Sequence, residues 1–260
     1  AFNVKRAAFD SPFAASGQRE DKLSVFTLGL NYDSVDSLGG LTGVNDIRVW
    51  IDLGLADFLG SMDADGDCNS TRQGSAPSSS CVGTSNFEYA GGDFSKLGFS
   101  FQRLQQLTTY NSLLIRGYYQ FSNDLLVSLE QVALGGAYNN RGYPVSQSLV
   151  DNGGFVTLEW IYDFAGHLPQ VLGNLPGRSY SSWNWFAYID FGGGDKNDPF
   201  PGEDDKVDLS SLGGGLEMTW NIQEHSTIGF RFELATPLGD DPLSVDDDDP
   251  RLWGRLYYSF

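Results

Sequence analysis

Cationic side chains, histidine, cysteine and long apolar runs are all scarce in this sequence. It has 16 Lys and Arg against 34 Asp and Glu, which gives a formal net charge of −18. A nucleic-acid binder needs a basic face that neutralises phosphates, so this charge balance excludes nucleic acid as a partner. No apolar run approaches the roughly 18 residues of a membrane-spanning helix, which excludes a helical membrane protein. A membrane β-barrel is still allowed, because its sequence signal is alternation.

The first residues lack both an initiator Met and the apolar core of a signal peptide. We therefore expect either a mature protein or a piece of a longer chain. The two cysteines, Cys68 and Cys81, lie in one Ser/Gly/Asp-rich stretch, far in sequence from His167 and His225. A metal site would need more ligands nearby, so a disulfide that closes one loop is the simpler interpretation. Such a disulfide implies an oxidising compartment.

One acidic segment is similar to the opening of a calcium loop. Asp63, Asp65 and Asp67 alternate around Gly66, and hard oxygen ligands at every second residue suit Ca²⁺. No bidentate Glu follows at the expected distance, so a solvated acidic loop is the alternative interpretation. No other cofactor is expected. We find no nucleophile elbow, phosphate loop or haem motif, and the protein is therefore not predicted to be an enzyme.

Alternation with a period of two runs through almost the whole chain and predicts half-buried strands. In residues 226–235, for example, Arg231 and Glu233 lie on the polar side. The apolar side of that segment carries Ile228, Phe230, Phe232 and Leu234. The ten candidate strands are 2–9, 22–33, 45–54, 94–104, 111–121, 152–164, 183–192, 209–222, 226–235 and 250–260.

A soluble β-sandwich would also alternate, but three features favour an antiparallel transmembrane β-barrel. The strands have about the 9–11 residues that cross a bilayer at a tilt. Short and long connections alternate, with 165–182 as an exception. The polar side repeatedly carries full charges: Asp46, Arg48, Asp52, Arg103, Arg116, Glu159, Asp190, Arg231, Glu233, Arg251 and Arg255. Aromatic residues near strand ends suggest an interfacial girdle: Trp183, Trp185, Trp220, Trp253, Tyr257 and Tyr258.

The most specific stretch is Leu134-Gly135-Gly136-Ala137-Tyr138-Asn139-Asn140-Arg141-Gly142-Tyr143. It resembles the LGG…VRGY/F signature of the two-partner-secretion transporters, the TpsB or haemolysin-activator family of the outer-membrane assembly-factor superfamily. Tyr188-Ile189-Asp190-Phe191-Gly192 is similar to the family's aromatic-x-Asp-x-Gly strand. Asn140 stands where the family usually has Val, which affects local packing. A terminal Phe260 on an amphipathic strand resembles the signal that bacterial outer-membrane proteins present to the barrel-assembly machinery.

The resemblance implies that the signature lies on an external loop that folds back into the barrel. Arg141 would then pair with Asp190, and the polar phase of Asp190 supports this pairing independently. Tyr143 would act as an aromatic wedge, and Gly142 would allow a tight turn. Tyr188 and Gly192 flank the Asp on the polar side of the strand. Removing either partner of the pair is expected to have a similar effect.

The resemblance covers roughly residues 22–260 and only the C-terminal part of the family's chain. Family members look like sixteen-stranded barrels preceded by periplasmic POTRA domains, which we do not find in residues 1–260. We expect a fragment of a longer polypeptide, or alternatively a short family member. The implied function is transport of a secreted exoprotein across the outer membrane, in contact with its lipid. The alternatives are an assembly factor that inserts other barrels and a passive porin.

Overall fold

The computed structural model describes residues 1–10, 18–64, 70, 72–77, 87–164, 181–200, 202–223, 226–239 and 249–260. Its main feature is a single antiparallel sheet of ten strands, each paired with its neighbour. The strands follow chain order across the sheet, so each one pairs with the next sheet strand along the chain. Within the described ranges, no helix has the length and apolarity to cross a membrane.

The ten predicted strands are all present, and most are slightly longer than their alternating patterns. The sheet contains β1 (Phe2–Asp10), β2 (Gln18–Leu38), β3 (Leu41–Gly54), β6 (Ser95–Gln106), β7 (Asn111–Ser122), β10 (Asn152–Asp163), β11 (Ser181–Asp195), β12 (Lys206–Gln223), β13 (Ser226–Pro237) and β14 (Arg251–Ser259). Four short strands form two separate hairpins that the alternation did not predict. They are β4 (Gln73–Pro77) with β5 (Phe87–Tyr89), and β8 (Val132–Leu134) with β9 (Ser148–Val150).

The hairpin between β2 and β3 shows how the residues of a turn determine the register of two strands. Leu38 pairs with Leu41, and only Gly39 and Gly40 lie between them, with φ of 62° and 83°. A type I′ two-residue hairpin turn needs positive φ at both central positions, which glycine adopts without strain. The turn fixes the register, and the pairing continues without a shift to Val25 and Gly54. Because the register does not slip, each strand keeps one set of side chains on each face.

The two faces of the sheet differ sharply in polarity, as the alternation predicted. On β13, Glu233 is 3% exposed whereas Leu234 is 50% exposed. On β11, Asp190 is fully buried while the neighbouring Phe191 is 47% exposed. We call these the polar face and the apolar face. A face that buries carboxylates and leaves large apolar side chains outside is the reverse of a soluble protein's arrangement.

The connection between β7 and β10 covers the polar face. We call residues 123–151 the inner loop; it contains the β8–β9 hairpin, and the signature residues lie at its tip. Its apolar side chains pack with strand residues in one buried cluster: Val132, Leu134, Tyr143, Val150, Val207 and Leu209, with Tyr118 against it. The inner loop is therefore a packed part of the fold, held by apolar burial as well as by charge.

Three of the sequence-based placements are wrong. Arg103 lies on the apolar face, since it shares the β6 phase of Leu97 and Phe99, and its guanidinium pairs with Asp36 at 2.8 Å. Arg103 lies at the end of β6 that leads into a short turn. At this end, a charged side chain does not indicate that its position belongs to the polar face. Trp253 and Tyr257 belong to the polar face rather than to an interfacial girdle. Each donates a hydrogen bond there, to the backbone oxygen of Arg141 and to Glu217 respectively.

Candidate functional site: the buried ion pairs of Arg141

Turns at the tip of the inner loop place Arg141 against the polar face. Gly135 and Gly136 have φ of 97° and 106°, and the NH of Gly136 donates to the carbonyl of Tyr143. The NH of Tyr143 in turn donates to the carbonyl of Asn140 at 3.1 Å. Backbone hydrogen bonds thus close the tip on itself, which limits the positions that the Arg141 side chain can reach.

Arg141 and Asp190 meet in a fork-like pair. The Arg141 Nε lies 2.9 Å from Oδ2 of Asp190, and Nη2 lies 2.8 Å from Oδ1. The backbone NH of Arg141 also donates to Oδ2 at 3.1 Å. Both side chains are buried, with 1% and 0% exposure. The structure therefore brings together the two residues that the sequence pairs, in the bidentate geometry that only Arg provides.

Arg141 has two further carboxylate neighbours. Its Nη1 lies 2.7 Å from Glu159 on β10 and 3.3 Å from Glu233 on β13. Arg231 on β13 contacts the same two carboxylates at 3.1 and 3.3 Å, and Glu217 on β12 at 3.2 Å. Four strands therefore contribute charges to one network. In these direct contacts the carboxylates outnumber the two arginines, so Arg141 offsets part of an excess of negative charge, on which Arg116 also acts at longer range.

Neutral groups complete the surroundings of the pair. The hydroxyls of Thr157 and Ser211 donate to Asp190 at 2.9 and 3.3 Å. The Arg141 guanidinium carbon lies 3.1 Å above the centre of the Tyr188 ring, as in a cation–π contact. The indole NH of Trp253 donates to the Arg141 carbonyl at 2.7 Å. Both the backbone and the side chain of Arg141 are thus held.

Glycines let the tip of the loop approach the sheet. A Cβ on Gly192 would overlap the amide of Asn140, whose Nδ2 donates to the carbonyl of Leu209 at 3.1 Å. Gly142 lies in the expected tight turn, which the hydrogen bond from the NH of Tyr143 to the carbonyl of Asn140 closes, but it has no positive φ, so the turn itself does not require glycine. A Cβ there would instead lie 2.7 Å from Cβ of Ser211 and from the nitrogen of Pro237. Gly142 is needed for close packing against β12 and β13.

Tyr143 anchors the same tip by apolar burial. It is 1% exposed within the cluster described above, and its hydroxyl donates to the carbonyl of Ser210 at 3.2 Å. Its aromatic ring therefore lies between the loop and β12, in the manner of the expected wedge.

A second set of charges lies where the inner loop returns to the sheet. Asp151 accepts from the guanidinium of Arg72 at 3.4 Å and from the backbone NH of Asn197 at 2.8 Å. Burial raises the pKa of the Asp151 carboxyl, although Arg72 and these hydrogen bonds act in the opposite direction. Arg72 also contacts Glu203 at 3.3 Å. These contacts link three connections between sheet strands. Arg72 lies between β3 and β6, Asp151 lies in the inner loop, and Glu203 lies between β11 and β12.

The remaining predicted site residues are only partly described. Cys68, Cys81, Asp65 and Asp67 lie outside the described residues, as do His167 and His225. Asp63 is described; its carbonyl accepts from the NH of Gly92, and its carboxylate accepts from the NH of Ala64. Among the residues that the structure does describe, no group of three or more acidic, His or Cys side chains is arranged to hold a metal.

Sequence reasoning missed most of the support around Arg141. Glu159 and Glu233 were assigned to the polar side, but nothing in the alternation indicated that they meet Arg141. Trp253 was assigned to the wrong face. The useful signal was the position of each charged residue in the alternation of its strand. This position identifies the residues that face the loop, but it does not identify which of them meet Arg141.

A wide antiparallel sheet with one polar face, covered by an inserted loop, defines a class of fold: an all-β protein whose sheet is similar to that of a β-barrel. No family profile matches this sequence, and no curated protein is significantly similar to it. Among solved structures, CdiB from Escherichia coli has a similar fold, with a TM-score of 0.62 at 21% sequence identity. The match covers 93% of this chain and 37% of the CdiB chain. CdiB is a TpsB-family transporter, so the fold of this chain is TpsB-like.

Proposed function

We propose that this chain is the pore-forming part of an outer-membrane transporter that passes an unfolded partner protein across the membrane. The inner loop is its plug, and the contact of Arg141 with Asp190 is the lock that keeps the plug in place. The observation that carries this proposal is a fully buried Arg at the tip of an inserted loop, held by carboxylates of three sheet strands.

The polarity of the two faces supports an outer-membrane location. The apolar face presents large side chains that would suit lipid: Leu28, Leu30, Phe99, Val156, Trp185, Phe232 and Leu234. The polar face would line an aqueous lumen, and the strands are long enough to span about 25–30 Å of hydrocarbon. The TpsB-like fold supports the same location.

The chemistry of the lock suits a reversible plug. Burying an ion pair costs desolvation energy that offsets much of the attraction between the charges. The contact of Arg141 with Asp190 therefore contributes more to specificity than to stability. When the loop leaves, water hydrates the separated charges and offsets the loss of the contact. Release exposes Asp190, Glu159 and Glu233, which can then contact the cationic groups of a chain in transit. The proposed step involves no hydrolysis and no cofactor.

The partners follow from this assignment. An exported protein would pass through the lumen, outer-membrane lipid would contact the apolar face, and the barrel-assembly machinery would bind the terminal strand. Phe260 is 92% exposed and stacks with Tyr258, with the ring centres 6.0 Å apart. Both rings lie on the apolar phase of β14 and its end, where an assembly partner can reach them.

Deleting the gene in the organism that encodes it tests the proposal. We expect specific large proteins to disappear from the culture medium, and the full-length gene to restore them. The Arg141→Ala gene should restore export poorly although its product still inserts into the membrane. If the medium is unchanged and other outer-membrane proteins decrease instead, the chain is an assembly factor. If neither changes, the chain is a passive barrel.

A further inference from the structure

Glu130 is a buried carboxylate at the base of the inner loop, 11 residues before Arg141 at the tip. Its side chain is fully buried and lies between two lysines. Lys96 Nζ on β6 is 2.7 Å from Oε2, and Lys5 Nζ on β1 is 2.6 Å from Oε1. A buried carboxylate is costly unless it is compensated, so these two contacts decide whether the base of the loop stays in this position.

The surroundings of Glu130 hold its backbone too. The side-chain amide of Gln120 donates to the carbonyls of Glu130 and Asp151, at 2.8 and 3.2 Å. Those two carbonyls belong to the outgoing and returning arms of the inner loop. Lys96 also donates to the Glu130 carbonyl at 3.2 Å and lies 3.6 Å from Asp52 on β3. The base of the loop is therefore fastened to β1, β6 and β7.

The network of Glu130 shares no hydrogen-bond or ion-pair partner with that of Arg141 among the described residues. Arg141 contacts β10, β11, β13 and β14, whereas Glu130 contacts strands on the other side of the sheet. The two networks also differ in chemistry, because the lysines act as point charges and Arg141 as a planar fork. Contacts without shared partners are expected to act independently.

We propose that Glu130 is a positioning residue that forms a second, separate anchor of the inner loop. Arg141 holds the tip, and Glu130 holds the base and links it to β1 through Lys5. For the inner loop to leave the polar face, the contacts of both Arg141 and Glu130 must then break. The signature includes only Arg141. The view of the loop as a plug rests on the proposed function, but the existence of the second anchor does not.

Hydrogen–deuterium exchange of the full chain in detergent micelles tests the two anchors separately. Glu130→Gln should speed exchange of the amides in 125–134 about tenfold, while 137–143 keep their protection. Arg141→Ala should give the opposite pattern. Equal loss of protection at both ends in either variant would show a single cooperative unit and overturn the proposal. Unchanged exchange of 125–134 in Glu130→Gln would overturn it as well.

A charge reversal distinguishes a specific ion pair from general loss of stability. Combining Glu130→Lys with Lys5→Glu and Lys96→Gln should restore protection that Glu130→Lys alone removes, because the reversed pair is attractive and the neutral Gln places no like charge beside the new Lys. Glu20→Gln is the matched control, because Glu20 pairs with Lys22 at the surface, with 42% and 41% exposed side chains. It should leave exchange of 125–134 unchanged. No recovery in the reversed pair, or an effect of the control equal to that of Glu130→Gln, would refute the anchor.

The outcome separates this proposal from the proposed function. If exchange follows the expected pattern and export is unaffected by every variant, the second anchor stands and the transport assignment fails. If Arg141→Ala impairs export while Glu130→Gln leaves exchange unchanged, transport stands and the second anchor fails.

Discussion

The further carboxylate contacts of Arg141 predict that its removal and that of Asp190 are not equivalent, which revises the similar effects expected from the pairing inferred from sequence. Without Arg141, Glu159 and Glu233 keep Arg231. Among the described residues, Asp190 then keeps no ion pair: its remaining side-chain donors are the hydroxyls of Thr157 and Ser211, and the charge of Arg116 acts on it at longer range. Leaving one partner of a buried pair uncompensated costs about 3–5 kcal/mol, which lumen water will reduce. Without Asp190, Arg141 keeps Glu159 at 2.7 Å. Asp190→Ala removes three hydrogen bonds from Arg141, but it leaves no charge unpaired, so we expect the smaller cost of lost charged hydrogen bonds, about 1.5–3 kcal/mol.

These free-energy costs determine how much the population with a released loop tip increases. A cost of 3 kcal/mol raises the released population roughly 150-fold, and 1.5 kcal/mol raises it about 13-fold. Hydrogen exchange of 136–143 measures that population, because those amides exchange when the tip detaches. We expect Arg141→Ala to exchange faster than Asp190→Ala. Arg141→Lys should be intermediate, since it keeps the charge and loses the fork.

A double variant provides the sharpest check. Adding Asp190→Asn to Arg141→Ala removes the uncompensated charge, so the double variant should exchange more slowly than Arg141→Ala alone. Arg48→Ala is the matched control, because Arg48 shares the polar face and pairs with Asp46 on its own strand. It should leave the tip protected. Equal effects of the two single variants, or strictly additive losses in the double variant, would refute the reasoning.

Further outcomes follow from the same contacts. Gly192→Ala should release the tip by displacing the Asn140 amide, and adding Asn140→Ala should restore protection; no rescue would show that this close approach is unimportant. Phe232→Arg at the middle of β13 should destabilise the barrel in lipid vesicles by about 2–4 kcal/mol, against little change for Gln102→Arg on the polar face. Equal costs would contradict the assignment of faces. Peptide mass spectrometry without reduction should find Cys68 joined to Cys81, and two free thiols would exclude that disulfide.

The sequence predicted the strands well because each strand carries its own evidence. Alternation over ten or more residues specifies both the element and its two faces, as in β13, whatever its neighbours do. The three-residue strands β8 and β9 are too short for a period to be recognised, and they pair only because the inner loop folds back on itself. Their formation depends on tertiary packing around Leu134 and Val150.

The candidate site was accessible from sequence only in part. The signature and the polar phase of Asp190 were sufficient to pair it with Arg141. Phase also placed Glu159 and Glu233 on the correct face, but their convergence depends on the register of four strands and on the path of the loop. Glu130 had no such signal, because its partners Lys5 and Lys96 come from strands more than thirty residues away in sequence. Long-range charge pairs of this kind require the fold.

The claim that the inner loop must leave the polar face for a path to open can be tested with a reversible crosslink. A Cβ on Gly142 would lie 2.7 Å from that of Ser211, about 1 Å closer than the Cβ atoms of a disulfide, so Gly142→Cys with Ser211→Cys should form the bond once the tip moves outward by about that distance, which also separates it from the backbone of β13. The pair is introduced together with Arg141→Ala, Cys68→Ser and Cys81→Ser, and ion current is recorded in planar bilayers. We predict that the oxidised protein conducts little and that reduction raises its current to that of the uncrosslinked Arg141→Ala protein. A full current through the oxidised, crosslinked protein would contradict the role of the inner loop as the plug.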